Sequence, residues 1–157
     1  MIIEVRLLTR GEGAVLDEVA PDVFDHPIAP RRTAEFFADP RHHLAVAIEG
    51  GTVVGFASAV HYVHPDKPPE LWIDEVGVAP SHQRQGLGRR LLAELLRHGT
   101  ALGCVQAWVL TSPTNEAAHA LYQAWPGGGR PVGALRIPAQ LSGASDVTTE
   151  WHLTGSE

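Results

Sequence analysis

The sequence predicts a mixed α/β fold, a sheet with helices packed on its faces. Three observations carry that prediction: two long β-rich runs joined by a Gly-Gly pair, a strongly amphipathic segment near the middle of the chain, and strand-like and helix-like segments in the order β-α-α-β-β-β-α-β-α-β. At 157 residues and 44% hydrophobic content, the chain suits one well-buried domain, 1–157, and is short for two.

The elements follow in order. Residues Ile2 to Leu8 alternate well enough for an opening strand, and Gly11 to Ala20 carries apolar residues at helical spacing. Pro21, Pro27 and Pro30 break the next stretch into a loop around Val23-Phe24-Asp25-His26. Arg31 to Asp39 predicts a short helix that carries Phe36 and Phe37 and is closed by Pro40. Leu44 to Glu49 and Thr52 to Tyr62 form a hairpin, because Gly50-Gly51 accepts positive φ at both turn positions. After the rigid loop His64 to Pro69, Leu71 to Val78 predicts another strand.

The longest helix runs from Gly86 to about Leu102, with Leu87, Leu91, Leu92, Leu95 and Leu96 on one stripe and Gly103 as its stop. Cys104 to Leu110 reads as a buried strand, Asn115 to Ala124 as a helix ended by Pro126-Gly127-Gly128-Gly129, and Thr148 to Leu153 as a last strand. The Gly-, Pro- and Ser-rich residues between Gly129 and Ser145 read as loop.

Several function classes drop out on composition. A net charge of -6 disfavours general nucleic-acid binding, which needs a basic face to displace counterions. No apolar run approaches the roughly 18 residues of a membrane span, and Met1 to Arg6 lacks the pattern of an export signal, so a cytoplasmic protein is expected. The single Cys104 excludes an internal disulfide framework and reads as a small core residue. Nine histidines show no HExxH or comparable spacing, so no metal is expected.

The segment with the most chemistry is Gln83-Arg84-Gln85-Gly86-Leu87-Gly88, between a strand end and a helix start. Unpaired N–H groups and the helix dipole converge there on one point, which attracts an anion. Gly86 and Gly88 permit close approach of a phosphate, and Arg84 and Arg89 add positive charge. No Lys-Ser or Lys-Thr follows to make a nucleotide-triphosphate loop, and Leu91 stands where a dinucleotide fingerprint has its third glycine. A plain glycine turn before a surface helix is the competing reading.

The run Val78 to Leu92 resembles the acetyl-coenzyme A motif of the GNAT N-acetyltransferases, whose core is Gln/Arg-x-x-Gly-x-Gly/Ala. Asn115, Ala118, Leu121 and Tyr122 are similar to that family's Asn-x-x-Ala-x-x-Leu-Tyr helix. The resemblance implies a mostly antiparallel sheet splayed between its fourth and fifth strands, with helices on both faces. It implies that the coenzyme's pantetheine arm pairs with backbone at Val76 and Val78, and that residues 83–89 hold its pyrophosphate. Asn115 would bind the pantetheine or cap its own helix, with Ala118 beside it. Gly77 would suit a bulge or a close backbone approach.

For catalysis, a protonated alkylamine needs a base, and Glu75 is the first choice with Asp74 in reserve. Strict alternation puts the two carboxylates on opposite faces of the strand, so that only one can face the substrate without a bulge. The resemblance assigns the Val78 N–H to the thioester oxygen and the Tyr122 hydroxyl to the leaving thiolate. His26 and His64 lie in loops that could border the acceptor.

Short motifs, Val23-Phe24-Asp25 and Trp72 to Val78, resemble the type I aminoglycoside 3-N-acetyltransferases and imply a role in antibiotic resistance. Asp25, Asp74 and Glu75, with Glu70 and Glu150, would then bind a small cationic amine. A polyamine, amino acid or peptide N-terminus is the alternative acceptor, and a non-catalytic acyl-coenzyme A-binding regulator the other alternative. Family members often form homodimers, to which Trp125 and Trp151 would be candidate contacts. After Tyr122 the sequence departs from the family pattern, with Gln123 to Gly129 in place of the common Gly-Phe.

Overall fold

The computed structural model describes residues 2–112 and 114–123. The predicted final strand, the Gly-rich segment, Trp125, Glu150 and Trp151 lie outside them. Five strands form one sheet in the order β1-β2-β3-β4-β5: β1 Glu4–Leu7, β2 His42–Glu49, β3 Thr52–Tyr62, β4 Glu70–Val78 and β5 Ala107–Val109. The first four pair antiparallel and β5 joins β4 in parallel. Helices α1 Pro30–Ala38, α2 Leu87–Ala101 and α3 Glu116–Gln123 complete the described architecture.

The predicted hairpin forms as expected, with Gly50 and Gly51 at φ 58° and 87°, the paired positive values that such a turn demands. Two apolar layers then sandwich the sheet. On one face, Leu87, Leu91, Leu92 and Leu95 of α2 pack on Ala45, Ala47, Val54, Ala57, Ala59, Leu71 and Ile73. The small side chains of β2 and β3 let the leucine stripe sit close. Gly99 continues that approach, since a Cβ there would stand 3.0 Å from Leu71 Cδ2. On the other face, Leu44, Val46, Val53 and Phe56 are covered by Leu16, Val23, Phe24, Phe36 and Phe37. Helices therefore lie on both faces.

Three expectations need correction. Gly11 to Ala20 is not an α-helix but a 3-10 turn, Gly13–Asp17. Its continuation is captured by the sheet: the Val53 N–H donates to Glu18 O at 2.8 Å and the Ala20 N–H to Val53 O at 2.9 Å, making a parallel bridge at Val19. Tertiary pairing thus overrides helical spacing. The strand predicted from Cys104 begins only at Ala107 and is exposed to half-buried, because Gly103 at φ 85° turns the chain and β4 pairing starts at Gln106 O. Cys104 itself is half-buried against the α2 layer, and burial raises its thiol pKa.

The third concerns Gly77: of its two readings, a bulge or a close backbone approach, the bulge falls at Asp74 instead and the close approach holds. A Cβ there would lie 2.3 Å from Val23 O and 2.6 Å from Phe56 Cε1, so the glycine exists to admit the covering loop. Replacing it must displace backbone. Gly77→Ala is expected to cost at least about 2 kcal/mol in urea unfolding, or to abolish soluble expression. Gly88→Ala, whose Cβ would meet only ordinary contacts at 3.6 Å and beyond, should stay near wild type.

At the far end of the sheet, three histidines form a chain across β2, β3 and α2. His43 Nε2 lies 2.9 Å from His61 Nδ1, and His98 Nε2 lies 3.0 Å from His43 Nδ1. Burial, reinforced by the nearby charges of His98, His61 and His42, lowers the His43 pKa from 6.5 to about 4. The unfolded chain therefore binds the proton more readily, and this contribution to stability is complete above pH 6.5 and lost as pH falls toward 4. Wild type should lose on the order of 2–3 kcal/mol over that window. A His43→Gln variant should show a clearly shallower loss in urea titrations at pH 7 and pH 5.

Candidate active site

The site is organised by a one-residue irregularity in β4. Ser58 pairs with Glu75 but Ala59 pairs with Ile73, so Asp74 is an extra residue on β4. The core contacts register the consequence: Leu71, Ile73, Val76 and Val78 all pack toward α2, and the alternation skips a step between Ile73 and Val76. Trp72, Asp74 and Glu75 are consequently turned to the opposite face. Strict alternation would set the two carboxylates apart, and the bulge that lets both share one face is present.

On that face Glu75 stands at the border of the covering layer. Phe56 pairs with Gly77 and stacks on Phe24 at 3.8 Å, bringing Asp25 and His26 beside the next pair, Ser58 and Glu75. Burial raises the Glu75 pKa, the carboxylates of Asp25 and Asp74 raise it further, and His26 opposes them. Behind Asp25 and His26 a groove of about 1100 Å³ runs between the 3-10 turn and α1, with Asp17 and Asp22 in its lining.

Among the described residues, β4 is only half paired along its outer edge. Its ladder with β5 ends at Ile73 opposite Val109, whereas β4 continues to Val78. The Ala79 N–H donates to Val54 O at 2.9 Å, and in an antiparallel pair every second residue bonds the same neighbour. Val76 and Val78 therefore turn their N–H and C=O groups away from β3, into the gap where β5 has diverged. Gln83 Nε2 donates to Val78 O at 3.1 Å across the end of that gap. This is the splay expected between strands 4 and 5.

Beyond Val78 the chain makes a short 3-10 turn, Pro80–His82, and enters α2 through two left-handed residues, Arg84 at φ 60° and Gly86 at φ 77°. Alternation of hand along a loop turns successive N–H groups inward, toward an anion. Gly86 at the N-cap makes no side-chain cap, and the first turn of α2 carries no acidic residue, so the helix start is left for an external acceptor. His82 Nε2 contacts Glu49 Oε2 at 3.0 Å and Gln85 Nε2 donates to Ser81 O at 3.2 Å, fixing the loop from outside. Arg84 and Arg89 are exposed beside it, whereas Arg90 is tied to Ile3 O at 2.8 Å.

Helix α3 closes the gap from the other side. Gly88 faces Val76 and Leu121, so the first turn of α2 meets β4 and α3 at one point. Asn115 Oδ1 accepts the Ala118 N–H at 3.0 Å, which is the helix-cap alternative. Tyr122 is half-buried against the α2 layer, and burial raises its phenol pKa.

Glu70 is already engaged. It accepts from Lys67 Nζ at 2.9 Å and from Trp108 Nε1 at 2.8 Å, whereas the buried His64 Nε2, 3.5 Å from Glu70 Oε2, makes no hydrogen bond among the described residues. Sequence reading gave no role of its own to Trp72, which stands beside the carboxylates. The signal was its place between the inward Leu71 and Ile73. Among the described residues no group of His, Cys, Asp or Glu is arranged to hold a metal, and no helix is long and apolar enough to cross a membrane.

Comparison with known proteins agrees with this geometry. The sequence pattern of the Acetyltransferase (GNAT) family matches residues 14–127. The chain is 34% identical over 148 residues to N-alpha-acetyltransferase RimI of Mycobacterium tuberculosis, covering 93% of this chain and 90% of that one. It is 34% identical over 88 residues to aminoglycoside N(6')-acetyltransferase type 1 of Salmonella typhimurium, covering 52% of this chain and 61% of that protein. Among solved structures, an aminoglycoside acetyltransferase from an uncultured soil metagenomic sample, in complex with trehalose, superposes with a TM-score of 0.72 at 16% identity, covering 88% of this chain and 97% of that one. The aminoglycoside relative is described as a 6'-N enzyme, whereas the short motifs resembled the 3-N type. With the splayed sheet, the anion loop and these matches together, the chain belongs to the GNAT acetyltransferase family and is an acetyl-coenzyme A-dependent N-acetyltransferase.

Proposed function

We propose that this enzyme acetylates a small cationic primary amine, such as an amino sugar of the aminoglycoside type, by direct attack of the amine on the thioester. The observation that carries this reading is the pair of carboxylates which the β4 bulge turns to one face, next to Asp25 and next to the gap that receives the donor. A cation is drawn to such a cluster, and one member with a raised pKa is suited to take its proton.

In this scheme residues 83–89 hold the pyrophosphate, and the backbone of Val76 and Val78 pairs with the pantetheine arm. Asn115 and Ala118 shape the start of α3, where that arm passes. Asp25 and Asp74 hold the ammonium, and Glu75 takes one proton from it, directly or through water. The freed nitrogen pair forms the new bond to the acetyl carbon as the carbon–sulfur bond breaks. The Val78 N–H donates to the thioester oxygen as negative charge develops there, and Tyr122 gives its proton to the leaving thiolate. The amide nitrogen then gives up its second proton, which restores the Tyr122 phenol directly or through water, and Glu75 returns its proton to solvent, so that the neutral amide, the free thiol and one released proton complete the balance.

A peptide N-terminus is the second reading, favoured by the RimI relative, which covers most of the chain. Both acceptors present an amine to the same carboxylates. Thiol release from acetyl-coenzyme A with aminoglycosides, polyamines, amino acids and short peptides separates them, and preference for peptides would replace the amino-sugar assignment.

Two outcomes are expected from the same assay. Glu75→Gln should lower kcat/KM by about a hundredfold or more and Tyr122→Phe by about tenfold or more, with the KM for acetyl-coenzyme A little changed. Because Glu75 must be ionised to act and its pKa is raised from 4.5, activity should be present above that raised pKa and lost below it, and Glu75→Gln should remove this limb of the pH profile. Unchanged rates in both variants would reject the assignment.

A further inference from the structure

The face of the sheet that carries Glu75 does not end with the carboxylates. Following β4 away from the gap, Trp72 is the next residue turned to that side, and it pairs across the sheet with Val60 of β3 and Trp108 of β5. Its neighbours Leu71 and Ile73 are 1% and 4% exposed, but Trp72 is 38% exposed. An indole at a central strand position, flanked by buried residues, would ordinarily be covered.

We infer that Trp72 is a specificity-determining residue for the acceptor, its exposed indole forming the floor on which the ring of a cyclic amine, an amino sugar, stacks while the amine reaches Glu75. This rests on the acceptor reading above and adds to it a subsite for the body of the substrate.

The geometry favours a ring over a chain. From Trp72 to Glu75 the strand advances roughly 7–10 Å, about the span from a ring face to an exocyclic amine with its surroundings. At the Glu75 end stand Asp25 and Asp74, for which the described residues provide no salt bridge, leaving them to accept from ammonium or hydroxyl groups. At the Trp72 end Glu70 is already occupied by Lys67 and Trp108. A second ammonium of a linear polyamine would have to compete with those partners for it. The C–H face of a sugar ring needs none, and its hydroxyls can remain in water or reach Asp74. The Glu70–Trp108 hydrogen bond also fixes the second indole beside the first, so the floor is set before binding.

The test uses the full-length enzyme with methyl 6-amino-6-deoxyglucoside, putrescine and an alanyl tripeptide as acceptors, comparing wild type, Trp72→Ala and Trp72→Phe. The expected result is that Trp72→Ala raises KM for the amino sugar about tenfold, leaves kcat and the acetyl-coenzyme A KM within about twofold, and changes putrescine little, while Trp72→Phe restores most of the loss. Saturation-transfer NMR gives a readout that does not need turnover: the ring C–H protons of the amino sugar should receive saturation from wild type and not from Trp72→Ala. Transfer without turnover of any amine sinks the proposed function and keeps the stacking floor. Turnover with equal effects of Trp72→Ala on sugar, polyamine and peptide, or absence of transfer in wild type, overturns the inference, and an effect confined to the peptide assigns the floor to a peptide side chain instead.

Discussion

The extra residue in β4 is the constraint on which the rest of the site depends. A regular strand would place Leu71, Ile73 and Glu75 on one side and Trp72, Asp74 and Val76 on the other. The α2 layer would then receive a carboxylate where it now receives Val76, and the acceptor face would lose Glu75. By spending one residue at Asp74, the strand keeps Leu71, Ile73, Val76 and Val78 in one continuous apolar row and still presents both carboxylates outward. A single irregularity thus reconciles the core and the site, which regular pairing would set against each other.

The same strand divides its two edges between stability and function. Toward β3 it is paired along its length, and Gly77 is pressed against Val23 and Phe56 with no room for a side chain. Toward β5 it is paired, among the described residues, only as far as Ile73, and Val76 and Val78 turn backbone groups toward the gap, with Val78 O accepting from Gln83. Rigidity on one edge permits openness on the other, because a ligand in the gap would meet groups that are already fixed in direction. In the proposed reading the loop of residues 83–86 and the start of α2 extend this array, and backbone atoms would provide much of the coenzyme site.

What could be read from the sequence follows from this distribution. The turn into α2 was legible because its geometry is local: Gly86 takes a left-handed conformation, and the helix start that follows it is encoded in the leucine stripe. The hairpin was legible for the same reason, through Gly50-Gly51. The bulge was not, because it is decided by how Ser58 and Ala59 register against Glu75 and Ile73, a relation between strands that no spacing within β4 expresses. The first helix was misjudged for a similar reason, since the chain at Val19 bonds to Val53, far away in sequence. Trp72 was legible only as the first residue of the motif Trp72 to Val78 and carried no role of its own there, although Leu71 and Ile73 on either side implied that it points outward.

The most direct measurement of the account is the titration of the Glu75 side-chain carboxyl, followed by carbon NMR in wild type, Asp74→Asn and Asp25→Asn. If the bulge places all three carboxylates on one face, Glu75 titrates above 4.5 in wild type and moves down in each variant. An ordinary value that ignores both substitutions would mean that the carboxylates do not share a face, and the account of the site would fail with it.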